Sequence, residues 1–155
     1  MQPDIAAGPV PALRFPLGLL AAVLATLAMD IVMARLPEGA TPPQVAAGVL
    51  TESHPDAAPR RLASVVHYLA GGLTGPLFVW LLYAGEFAVG PGLTTTLLTA
   101  VLLFGLMVGF FVGVVLPRSR LRSGRRVPVA RDWVLSASAY LVVLVPVVYL
   151  GTELL

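Results

Sequence analysis

The sequence predicts an all-α fold: a polytopic integral membrane protein built as one four-helix transmembrane bundle over residues 1–155. Three observations predict it. Of 155 residues, 57% are hydrophobic and 12% charged, with a mean hydropathy of +0.88, whereas a soluble domain carries about 25% charged residues. Four apolar runs, 15–36, 62–84, 93–116 and 133–150, approach or exceed the ~20 residues a helix needs to cross a ~30 Å bilayer core. The basic residues gather beside alternate loops rather than along the whole chain.

The four runs take up more than half the sequence, so one membrane domain is the economical reading. The first run reads as a retained helix and not a signal peptide. Its leading segment lacks a basic region, its length exceeds a signal core, and Asp30 interrupts it late. All ten basic residues are arginine. Nine of them flank the loops 37–61 and 117–132, which four spans place on one side. The positive-inside rule makes that side the cytoplasm of a cell membrane and leaves both termini outside.

The first span carries Asp30. A carboxylate inside hydrocarbon costs on the order of 3 kcal/mol on insertion scales and points to a partner. The first loop predicts a short interfacial helix over 42–50, with Thr41 as N-cap and Gln44 completing a capping box. His54-Pro55-Asp56 predicts a turn. His54 and Asp56 alone are too few to hold a metal.

The second span carries His67. It lies six residues beyond Arg61, and Asp30 lies five before Arg35. At 1.5 Å per residue both sit roughly 7–9 Å inside the basic end. The two spans must run antiparallel, so an Asp30–His67 pair is expected if they are neighbours, easing the burial of both. Ser64, His67 or Tyr68, Gly71 and Gly75 share one small, polar face. Pro76 should bend this helix and free the carbonyl of Gly72. Trp80 and Tyr83 fit an outer aromatic belt.

In the third span Gly105, Gly109 and Gly113 fall four apart on one face, a pattern that admits a close-packed helix. Packing within the bundle is the preferred reading, and a second copy is the alternative. The arginines of the next loop, Arg118, Arg120, Arg122, Arg125 and Arg126, read as topology determinants or as contacts for anionic lipid headgroups. Ser123-Gly124 and Pro128 favour turns in that loop. Asp132 and Trp133 then suit the start of the fourth helix. Tyr140 reaches toward the level of the proposed pair.

Much chemistry is missing. No cysteine is present, which excludes disulfides and thiol sites. No phosphate loop, zinc-protease helix or nucleophile elbow occurs. The expectation is a protein that is not an enzyme, with no cofactor, no metal and no nucleic-acid partner. The basic pI near 9.5 reflects membrane orientation.

The stretch MDIVMARLPEGATPPQVAAGVL and, after it, PDAAPRRLASVVHYLAGGLTGPLF resembles small four-span membrane proteins of unknown function found in halophilic archaea. The resemblance covers about a third of the chain. It implies a cell-membrane location and a four-helix fold, and it carries no activity.

Two functional expectations follow. The first is a non-enzymatic scaffold, accessory subunit or oligomer-forming protein that meets membrane lipids and a second copy or another membrane protein. The second is a small proton-coupled transporter or channel using Asp30 and His67 in a homo-oligomer, by analogy with small multidrug exporters that carry a carboxylate in the first span.

Overall fold

The computed structural model describes residues 11–155. They form α1 (Pro11–Met33), α2 (Thr41–Leu50), a 3-10 turn (Pro55–Ala57), α3 (Arg60–Val89), α4 (Leu93–Phe110), a π-turn (Phe111–Val115), the single turn α5 (Leu116–Arg118) and α6 (Ser123–Glu153). Among the described residues four stretches are long and apolar enough to cross a membrane: Ala12–Met33, Arg60–Val89, Leu93–Arg118 and Ser123–Glu153. The chain is an all-α four-helix bundle of the multi-pass membrane type.

Helix α1 packs against α3 and α6, and α4 packs against the same two from the opposite corner. Every neighbouring pair runs antiparallel. The α1–α3 and α5–α6 connections share one end of the bundle, called here the basic end. The α3–α4 connection marks the far end. There Gly90 and Gly92, at φ 99° and 141°, take backbone positions that side chains rarely adopt.

The seam between α1 and α3 is a ladder with one rung every fourth residue. From the far end, the Arg14 guanidinium lies 5.3 Å from the Tyr83 ring centre. A Cβ on Gly18 would strike Val79, one on Gly75 would strike the Gly18 carbonyl and Ala22, and one on Gly71 would strike Thr26. The last rung is Asp30 with His67. Residues four apart share a helix face, so one uninterrupted face of each helix forms the seam. Lipid tails are as apolar as the side chains, so close backbone packing drives association here.

Gly105, Gly109 and Gly113 behave differently. All three are exposed, and a Cβ on any of them would meet nothing within 4 Å. The expectation that they pack within the bundle is corrected. Leu103 supplies the buried face of α4, together with Thr95, Thr96 and Thr99 near the far end. The glycine face is turned away from both neighbouring helices.

The core joins Ala21, Ala22, Ala25 and Met29 of α1 to Phe78, Val79 and Leu82 of α3, Leu103 of α4, and Tyr140, Leu144 and Val148 of α6. Small residues on α1 let it sit close to two helices at once.

Three local expectations change. Helix α1 is already helical at Pro11, ahead of the apolar run expected from residue 15, and Pro16 lies inside it. Helix α6 begins at Ser123 instead of near Trp133, and the loop before it shrinks to residues 119–122. Pro128 is tolerated because it forfeits only a bond to the carbonyl of Gly124, which is exposed in the first turn. In return Val129 is buried against Val45, Phe111, Leu116 and Leu121. Finally, Thr41 makes no capping box. Ala40 is the N-cap residue, and the Thr41 hydroxyl donates to Glu38 Oε2 at 2.5 Å.

Candidate functional site

Asp30 opens the last turn of α1, where His67 and Tyr68 of α3 both reach it. The His67 Nε2 lies 2.7 Å from Asp30 Oδ1, and the Tyr68 hydroxyl donates to Asp30 Oδ2 at 2.9 Å. Each carboxylate oxygen therefore has one partner from α3. The His67 side chain is 10% exposed and that of Asp30 30%, so the cluster lies at the edge of the seam and not at the bundle centre. With the carboxylate ionised, Nε2 of His67 carries the proton and donates. That leaves Nδ1 as an acceptor in neutral imidazole and a donor in imidazolium. Tyr68 was legible only as a neighbour of His67. At 53% exposed it faces outward yet still bends its hydroxyl back to Asp30.

Tyr140 of α6 does not touch this cluster. Its hydroxyl donates to the Gly71 carbonyl at 2.7 Å, one turn further along α3. It ties α6 to the same face of α3 that α1 uses.

Two spaces adjoin His67. One is a groove of about 360 Å³ that opens at the basic end and is lined by Asp30, Gln44, Arg60, Ser64 and Tyr68 as well as His67. The other is an apolar cavity of about 210 Å³ between α3 and α4, floored by Pro42, Pro43 and Ala46 of α2. The π-turn Phe111–Val115 shapes its α4 wall. Pro117 follows this turn and has no N–H to offer a carbonyl one turn back, which favours widening there. Trp133, expected at an interface, instead lines the cavity and donates its indole N–H to the Met107 carbonyl at 3.3 Å.

The basic end holds a second polar constellation. Arg125 donates from Nε to Glu38 Oε1 at 2.9 Å and from Nη2 to Oε2 at 2.7 Å, and its Nη1 lies 3.3 Å from both oxygens of Asp56. The Arg125 hydrogen bonds hold the Glu38 carboxyl below its ordinary value of 4.5, outweighing the upward push of partial burial; Thr41 helps. Asp132 is fully buried, accepts the Glu38 backbone N–H at 2.8 Å, and pairs with Arg131 at 2.8 Å. It is thus a mid-helix anchor for the α1–α2 connection, not the helix-start residue that the sequence suggested.

The arginines expected to mark topology or bind lipid divide accordingly. Arg125 is engaged by two acids. Arg118 donates to the Val114 carbonyl, and Arg126 to the carbonyls of Leu121 and Ser119. Arg120 and Arg122 are exposed. In the 3-10 turn His54 Nδ1 accepts the Asp56 N–H at 3.3 Å, while the Asp56 carboxylate turns toward Arg125.

A third pair closes the far end. Arg14 Nη1 donates to both oxygens of Glu86, at 2.9 and 2.7 Å, with side chains only 12% and 18% exposed. Glu86 lies beyond the apolar run 62–84. It belongs to α3, which runs on to Val89. The signal for these pairs was available: topology already puts Glu38 and Asp56 on the side of the arginine-rich loop, and Arg14 on the side of Glu86.

The chain matches no protein-family model, no curated protein and no solved structure. The geometry of the chain itself carries the functional reading.

Proposed function

We propose that this chain is a non-enzymatic membrane scaffold or accessory subunit, set in a cell membrane with its basic end in the cytoplasm and both termini outside. The filled core carries this reading. Between Tyr140 and the far end, Phe78, Leu103, Leu144 and Val148 are each no more than 1% exposed. Among the described residues no Asp, Glu, His or Arg lies in the spans between the Asp30 cluster and the Arg14–Glu86 pair, and the buried polar side chains there include threonines such as Thr26 and Thr99. Asp30, His67 and Tyr68 then act as a clasp that fixes the register of α1 on α3. The outward glycines of α4 support a membrane helix as partner, from a second copy or another protein.

The test uses Asp30→Asn and His67→Gln, each measured in two ways. Thermal unfolding in detergent should show a loss of about 0.6–1.7 kcal/mol, the range for hydrogen bonds between membrane helices. Liposomes holding a pH-sensitive dye should show no proton flux above empty vesicles for the unaltered chain. Flux that is present, and that vanishes in a folded Asp30→Asn protein, would replace the scaffold with a proton-coupled transporter assembled from several copies.

A further inference from the structure

We propose that the apolar cavity between α3 and α4 binds a lipid-soluble ring of the quinone class, with His67 as the polar contact that orients it. This goes beyond the scaffold reading and does not rest on it.

Size comes first. An apolar cavity of roughly 150 Å³ holds benzene. The cavity here is about 210 Å³, which suits a one- or two-ring head and is too small for a folded acyl chain. Access comes second. Ala70 of α3 and Phe110 of α4 line the cavity and are exposed, so it opens sideways toward the bilayer. A ring can enter from the membrane and leave its tail outside. Pro42 and Pro43 of α2 close the cavity toward the basic end.

The walls and the histidine then select the chemistry. Phe110, Phe111, Trp133 and Tyr140 give flat surfaces on which a ring can stack. His67 lines this cavity and also the groove holding Asp30, so one side chain divides a water-facing space from a lipid-facing one. Its Nε2 is committed to Asp30, and among the described residues its Nδ1 makes no hydrogen bond. A neutral His67 accepts from a quinol hydroxyl, and a charged one donates to a quinone carbonyl. A saturated chain satisfies neither state. The π-turn in the cavity wall adds weight, since such turns concentrate at functional sites.

The chain has two tryptophans, Trp80 and Trp133. In a Trp80→Phe background Trp133 becomes a reporter inside the cavity. Menadione is titrated into this protein in phosphatidylcholine nanodiscs. The expected result is saturable quenching. His67→Gln should raise the half-saturating concentration by about tenfold, the loss of one buried hydrogen bond. Ala70→Leu should abolish saturation by filling the mouth while leaving the Asp30–His67 bond intact, and it covers the case in which His67→Gln fails to fold. Linear, non-saturating quenching that is the same with and without Ala70→Leu would overturn the proposal. So would strong quenching by brominated phosphatidylcholine that menadione does not relieve, because the occupant is then an acyl chain.

Discussion

Gly71 and Gly75 on α3 and Gly105, Gly109 and Gly113 on α4 spell the same pattern, and the bundle uses them in opposite ways. The α3 pair is pressed against Thr26, Ala22 and the Gly18 backbone. The α4 trio faces open space. The difference lies in the opposing helix. Helix α1 offers its own small residues at matching four-residue steps, Gly18, Ala22 and Thr26, and closes both ends of the seam with a hydrogen-bonded polar pair. Among the described residues no helix offers the glycine face of α4 a matching face. A small-residue repeat shows that a helix can be approached closely, and the neighbour decides whether it is.

That contrast can be broken by substitution. Gly75→Leu should have the largest effect, about 3 kcal/mol, because its side chain would have to displace the backbone of Gly18. Unfolding in detergent micelles measures it, and an unchanged midpoint would mean that the seam is looser than drawn. Asp132→Ala comes next, at about 2 kcal/mol. It strips the Glu38 N–H of its partner and frees α1's connection from α6. The same unfolding assay reads it, and Asp132→Asn should recover part of the loss.

The Glu38–Arg125 pair sharpens the comparison through pH. Its carboxyl is held below 4.5, so its contribution is present above that value and is lost as pH falls through the lowered one. The midpoint difference between the unaltered chain and Glu38→Gln should therefore shrink in acid titrations from pH 6 downward. A difference that grows instead would mean that Arg125 does not hold Glu38 ionised. Gly109→Leu should have the smallest effect, within about 0.5 kcal/mol in the isolated monomer. A loss comparable to that of Gly75→Leu would place α4 the other way round.

The Asp30–His67 pair was legible because two counts, five residues from Arg35 and six from Arg61, set both side chains at one depth. That arithmetic works for any antiparallel hairpin whose ends are pinned at a water interface. The Glu38–Arg125–Asp56 and Arg14–Glu86 pairs went unread for a different reason. All five residues fall outside the four apolar runs, where no apolar periodicity assigns a face, and an acid near a span's end is by default solvated. Tyr68 went unassigned because a side chain as long as tyrosine can reach back around its helix. Pro128 misled because a proline ends a helix in the interior but is tolerated near an exposed first turn.

Sequence by itself determined the number of apolar spans, their alternating sense and the end at which the arginines collect. Bilayer thickness and the scarcity of charge in hydrocarbon act on each segment separately, so a linear reading suffices. Only the tertiary structure decided which glycines meet a partner, which arginines are engaged, and that a cavity opens beside His67. Those outcomes depend on how helices are rotated about their axes, and rotation is set by the faces of neighbours distant in sequence.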